Sequence, residues 1–465
     1  MDHQKKDRSI ISFVIGAGIF VLGLLVVVFY IYKRCRAEFN ADFTDTLLWA
    51  NASVESGHFY NPDYWYAYFL PFSGIPIMIP IVAAFGLTYF SHQLGMTVFL
   101  LLFAAALLIF FRAAGCKYAD AFALSGITLI LMCASTITRM IFYGHVIHYS
   151  LVIVFMCVDF FFIRRSSIFA NSSPGGPKAA DAGNTPEYVD KSSASTGNTP
   201  EYADKSTASI GKRAKIYTVL TAVWCMLCCT NGVATCLLFF VPLIGTLVIE
   251  RFFDARPISL KTDLALIKDI ITLAVGGLAG IVIKIIFFSS SEYENSITAL
   301  LPSDGWVWKQ SPFLLEWIKV FTGDSAEDVL MQSFDGIRIL GMYLLALVLL
   351  IVPVLAAISY KKIKNRMLRL LIIYYWLMFA VTLLTYSVSY ALVSNWRLAH
   401  LACASVILTL LYTFHMVKEK MFVRWFVLLV PVLAVCTLLS MLTVKNIPSA
   451  ADANQNDQLI SIYRE

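Results

Sequence analysis

Asp42, Asp45, Glu55 and Asp63 fall within about two dozen residues, in the stretch 33–76 (KRCRAEFNADFTDTLLWANASVESGHFYNPDYWYAYFLPFSGIP) between two segments too apolar for water. Ionised carboxylates beside a bilayer are costly unless they are solvated, paired or used. An aspartate so placed can take a proton from a reacting hydroxyl as a general base, or it can cap a helix. Tyr60, Tyr64, Trp65, Tyr66 and Tyr68 give the same stretch an amphipathic floor suited to a membrane interface. Cations stand in apolar surroundings elsewhere: Arg139 in TITRMIFYGHVIHYS beside His145 and His148, Lys284 near the end of an apolar run, and Arg397 in VSNWRLAH beside His400. Such cations either hold an anion or snorkel to headgroups. His145 and His148 are three apart and can share a helix face, but no carboxylate adjacent in sequence completes a metal site.

The elements that must position these groups follow from composition. The chain has 465 residues, 59% of them hydrophobic and 14% charged, with a mean hydropathy of +0.73. Soluble domains carry roughly 25% charged residues, so the chain is expected to be a polytopic membrane protein. Its net charge of +6 is small for the length and reads as basic cytoplasmic loops, with no nucleic-acid partner. Cys133, Cys157, Cys225, Cys228, Cys229, Cys236 and Cys436 lie inside apolar runs, where cysteine acts as a small hydrophobe. The C-x-x-C-C of Cys225 to Cys229 is flanked by membrane helix and lacks a second ligand pair, so no metal is assigned to it.

Taken in order, HQKKDR precedes the run Ile11 to Tyr32, about 22 residues, enough to cross a hydrocarbon core of roughly 30 Å. It has no small-residue cleavage site and reads as a retained first span with a cytoplasmic amino terminus. Residues 1–163 hold this span, the first external loop 33–76, and apolar runs near 73–90, 94–111, 121–138 and 146–163. Residues 164–215 are expected to be a disordered linker, because GNTPEYVDKSSAST and GNTPEYADKSTASI repeat in tandem and bury little. The middle section, 216–288, opens with an apolar stretch, 216–250, interrupted by Asn231-Gly232. That stretch fits a broken span or a tight pair of short ones.

A second external loop, 289–336, carries Glu292, Glu294, Asp304, Trp306, Trp308, Glu316, Trp317, Asp324 and Asp328. Carboxy-terminal spans occupy 337–444, with basic KKIKNRMLR and VKEK between them, and a tail covers 445–465. Counting leaves a conflict. With the first run entering from the cytoplasm, two external loops require an odd number of crossings between them and the amino terminus. A single crossing at 216–250 meets that requirement but puts Arg164-Arg165 outside, against the charge rule.

Asp45, Ala52 and Gly57 form D-x(6)-A-x(4)-G after a first span, followed by FYNPDYWYAYFLPF. This arrangement resembles the GT-C superfamily of membrane glycosyltransferases. The resemblance implies an all-α, polytopic transmembrane helix bundle of about 11–12 spans with two external loops. It also implies an integral enzyme of the cell envelope, in a bacterial plasma membrane, with an outward-facing site. Its partners would be membrane lipids, a polyprenyl-phosphate sugar as donor, and a glycan, lipid or protein as acceptor; a divalent cation is an open question. It assigns the base to Asp45, with Asp42 as the alternative, and the donor phosphate to Arg139, Arg397 and Lys284. Candidates for substrate contacts are Glu55, Asp63, Tyr64, Trp65, His145, His148 and His400. A transporter or flippase for a polar or lipid-linked substrate is the alternative class, although no internal repeat relates its halves; a scaffold without chemistry is the third.

Overall fold

Once water is excluded, an apolar segment must satisfy its backbone N–H and C=O groups internally, and a helix does so. The computed structural model describes residues 2–38, 41–66, 69–166, 201–253, 260–288, 313–323, 333–388 and 394–417, and the regular structure among them is all helical. Helix α1 (Asp2–Phe29) runs on through a π-helical turn, Tyr30–Arg34, into the short helix Cys35–Glu38. It is followed by α2 (Ala41–Ser56), α3 (Ile75–Phe85), α4 (Tyr89–Ala113) and α5 (Tyr118–Leu131). Then come α6 (Thr136–Arg139, prolonged by the turn Met140–Gly144), α7 (His148–Arg165), α8 (Glu201–Cys229) and α9 (Val233–Phe253). The described chain closes with α10 (Leu260–Phe287), α11 (Phe313–Thr322), α12 (Phe334–Ile358), α13 (Arg366–Val388) and α14 (Asn395–Val417). Among the described residues, 7 helices are long and apolar enough to cross a membrane, or 8 if the bent pair α5 and α6 counts as one span.

Contacts show which end of the bundle each helix end reaches. Gly16 lies against Ala119 and Gly23 against Gly126, so α1 and α5 run parallel; Gly276 on Ala222 and Gly280 on Met226 make α8 and α10 parallel. A Cβ at Gly126 would sit 2.5 Å from the Ile19 carbonyl oxygen, so only glycine permits this approach. At one end, Phe72 N–H donates to Asn231 Oδ1 and Asn231 Nδ2 donates back to the Phe72 carbonyl, both at 2.9 Å. Lys284, near the end of α10, donates to the Phe69 carbonyl at 2.8 Å. At the other end, Asn365 donates to the Ala114 carbonyl and meets His415, both at 2.8 Å. Arg366 there grips Glu250 through two hydrogen bonds of 2.7 Å. The first end carries stretch 33–76 and the second carries Arg112, Lys117, Arg251, Lys361 and Lys362; they are the loop end and the basic end below.

The span list changes in two places. Run 73–90 does not cross, because α3 has 11 residues, about 16 Å at 1.5 Å per residue. Gly74 before it touches Thr46 and Val146, and Tyr89 after it lies under Arg36 at 5.7 Å, so both its ends are at the loop end. Stretch 216–250 runs between the two ends twice, although by length and composition only its second helix is a full span. It is hinged at Thr230–Gly232, where Gly232 has φ +94°, a left-handed backbone that glycine adopts without strain. Phe72 dips in at this hinge to meet Trp224 at 5.3 Å and Phe155 at 5.8 Å, which leaves the apolar part of α8, Ala214–Cys229, short.

With these changes α7 returns the chain to the basic end, where Phe160 packs on Phe110 of α4. Arg164 and Arg165 therefore join the other basic residues, and the counting conflict disappears. The expected linker also shrinks. Arg164 and Arg165 complete α7, and the second repeat copy, EYADKSTASI, is helical because its Glu, Ala and Lys prolong α8 backward from the apolar part. Residues 167–200, most of the loop 289–336, the expected span 422–444 and the tail 445–465 lie outside the described residues.

Candidate functional site

Parts of both loops meet on one bent segment. After α5 the chain turns through 116° and α6 begins at Thr136. Ser135 starts that turn with a reciprocal cap: Thr138 N–H donates to Ser135 Oγ at 3.1 Å, and Ser135 N–H donates to Thr138 Oγ1 at 3.2 Å. Ser135 Oγ also donates to the Val320 carbonyl of α11, which ties the second loop here. Trp317 anchors α11 further, its Nε1 donating to the Ala346 carbonyl at 2.8 Å.

From the first loop, Glu38 reaches Arg139. Arg139 Nε donates to Glu38 Oε2 at 3.2 Å and Nη2 donates to Oε1, while Nη2 also reaches Thr136 Oγ1 at 3.1 Å. The two side chains are 12% and 18% exposed. Arg139, expected on a donor phosphate, is thus held by a carboxylate that the sequence did not single out.

Further along both segments, Asp45 and His145 come together. His145 Nε2 lies 3.8 Å from Asp45 Oδ2, with the imidazole 4% exposed and the carboxylate 23%. Phe43 lies between His145 and His92, its ring centroid 6.2 Å from one and 6.1 Å from the other. Gly144 makes room for that stack, since a Cβ there would come within 2.4 Å of the Phe43 ring. Asp42 is exposed in the first turn of α2, where the helix dipole favours an acid. Asp45, three residues on, is the aspartate of the two that faces the interior. Ala52 is buried, and Gly57, at φ +71°, ends α2. The spacing from Asp45 to Gly57 is therefore that of one helix and its terminator.

The remaining expected contacts divide. Glu55 is exposed and accepts from Asn51 Nδ2 at 2.6 Å. Asp63 is exposed, in a turn where its N–H donates to Asn61 Oδ1 at 3.0 Å. Trp65 is 72% exposed, and Tyr64 packs on Tyr66 at 4.8 Å. Burial raises the Tyr66 phenol above its usual value. Glu55, Asp63, Tyr64 and Trp65 thus lie along the outer rim.

Deeper in, Lys284 is buried on the Phe69 carbonyl. Arg397 is half-buried, its guanidinium 5.6 Å from the Tyr386 ring centre. His400 is fully buried, 3.0 Å from Thr382 Oγ1 and stacked on Tyr149 at 6.1 Å. His148 starts α7, and its side chain lies outside the described residues. Glu316, one of the second loop's acids but given no role by the sequence, is buried and accepts from Asn395 N–H at 2.9 Å. Among the described residues, no group of three or more His, Cys, Asp or Glu side chains is placed to hold a metal ion.

Comparison with models of known families, with characterised proteins and with solved structures finds no match to this chain.

Proposed function

We propose that this multi-pass membrane protein is a glycosyltransferase of GT-C-like type. It would move a sugar from a polyprenyl-phosphate donor to an extracytoplasmic acceptor. The observation that carries the reading is Asp45, partly open to solvent and backed by buried His145, at the end where both loops converge. The charge rule supports the same geography, because Arg112, Lys117, Arg164, Arg165, Arg251, Lys361 and Lys362 share the other end, which is then cytoplasmic. The loop end then faces the envelope side of a bacterial plasma membrane.

In this reading the acceptor hydroxyl gives its proton to the Asp45 carboxylate as its oxygen attacks the anomeric carbon. The bond from that carbon to the phosphate oxygen breaks, and polyprenyl phosphate leaves with the electron pair. Asp42 is set aside because it faces solvent at the helix start. Arg397, at the loop end beside Tyr386, is assigned to the leaving phosphate.

The transporter reading draws on the 116° bend before α6 and the break at Thr230–Gly232. Transporters place such breaks near the midplane; both breaks here lie toward the loop end, which favours the enzyme. Membranes containing the protein, fed a panel of radiolabelled polyprenyl-phosphate sugars, test the proposal. Transfer of one label into polymer, lipid or protein is expected, and no transfer from any donor would overturn it.

A further inference from the structure

Asp159 lies in α7, six residues before Arg165, about 9 Å of helix rise from the basic end. It is 0% exposed. Cys225 of α8 offers its thiol to Asp159 Oδ1 at 3.9 Å. Asp159 Oδ2 has no hydrogen-bond partner, and Asp159 forms no ion pair among the described residues. The Tyr374 hydroxyl of α13 is equally buried and has no hydrogen-bond partner among the described residues. Its ring packs edge-on against Phe160 at 5.5 Å, and its electrostatic neighbours are Asp159, Cys157, Cys228 and Cys225. Two polar atoms buried on α7 and α13, each with unused hydrogen-bonding capacity, thus lie among thiols and aromatic rings. A carboxylate with no cation beside it is disfavoured in such a place, whereas a carboxylic acid can donate to a small polar guest. A buried water normally makes two to four hydrogen bonds of this kind.

We propose that Asp159, Tyr374 and Cys225 form a proton-binding site inside the bundle, closed over one water molecule. Asp159 carries the proton on Oδ2 and donates it in a hydrogen bond to the water. Tyr374 donates to the same water, and the Cys225 thiol donates to Oδ1. The titratable groups facing the site are Cys157 from α7, Cys225 and Cys228 from α8, Cys236 from α9, and Tyr374 from α13. The site stands apart from Asp45 and does not depend on the transfer reaction.

Infrared difference spectra of the full chain in nanodiscs at neutral pH test this directly. Wild type minus Asp159→Asn is expected to show one carboxylic-acid C=O stretch, which moves to lower frequency when heavy water exchanges the proton. Tyr374→Phe and Cys225→Ala are each expected to shift that band without removing it, and they keep the test alive if Asp159→Asn does not fold. Carboxylate bands in place of the acid band would overturn the proposal. So would an acid band that ignores heavy water, or one that neither Tyr374→Phe nor Cys225→Ala moves.

Discussion

Removing Glu38 asks whether Arg139 is a clamp or a ligand in waiting. Glu38→Ala deletes two charge-assisted contacts, one of them Nε to Oε2 at 3.2 Å. Hydrogen bonds to charged groups contribute about 1.5–3 kcal/mol each, and breaking a fully buried pair costs about 3–5 kcal/mol. Here the partners are 12% and 18% exposed, and Thr136 Oγ1 still receives Arg139 Nη2 at 3.1 Å. The lower end applies, so Glu38→Ala should cost about 2–3 kcal/mol. Arg139→Ala should cost a similar amount, since it also loses the contacts to Thr136 and to the Cys133 carbonyl. The double variant should cost about 2 kcal/mol less than the two losses added together, because removing the second charge relieves the one stranded by the first. Equilibrium unfolding in detergent micelles, followed by tryptophan fluorescence, measures all three. Strict additivity within about 0.5 kcal/mol, or a Glu38→Ala protein of wild-type stability, would refute the clamp.

Other expectations follow from the packing. Gly126→Val should detach α1 from α5 and lower expression of folded protein sharply, because even a Cβ would lie 2.5 Å from the Ile19 carbonyl oxygen. Gly18→Val, where nothing lies within 4 Å, should be tolerated, and a matched loss in both would contradict the seam. In intact cells, a membrane-impermeant thiol reagent should label Glu55→Cys but neither Lys361→Cys nor Arg164→Cys. The background should be low because the described native cysteines are buried or half-buried. Labelling of Arg164→Cys together with Glu55→Cys would return the counting conflict and break the assignment of ends.

Composition carried the membrane class, since a charged fraction of 14% cannot keep a solvated surface, and apolar runs of about 20 residues carried the helices. Hydropathy misjudged 73–90 for a physical reason: α3 is apolar enough to cross but too short, and Gly74 and Tyr89 return it to the same rim. Asn231-Gly232 was visible as an interruption. Its purpose was not, because the partner it brackets, Phe72, is 159 residues away in sequence. The same holds for Glu38 on Arg139 and for Glu316 on Asn395, pairs that no local pattern announces. Asp45 was legible through its spacing to Ala52 and Gly57, and His145 through its place beside Arg139; their pairing was not. Asp159 escaped notice in an apolar run whose neighbours, Cys225 and Tyr374, come from other helices.

Asp45 is the proposed base. Asn in place of Asp45 keeps the size of the side chain but cannot take a proton, and a general base is worth about 10²- to 10⁴-fold in rate. Sugar transfer from the preferred polyprenyl-phosphate donor should be measured for Asp45→Asn and Asp42→Asn at matched membrane abundance. Asp45→Asn should fall by at least about 10²-fold while Asp42→Asn should stay near wild type if Asp45 is the base. A fully active Asp45→Asn protein would contradict it, and an inactive Asp42→Asn beside it would hand the role to the exposed aspartate.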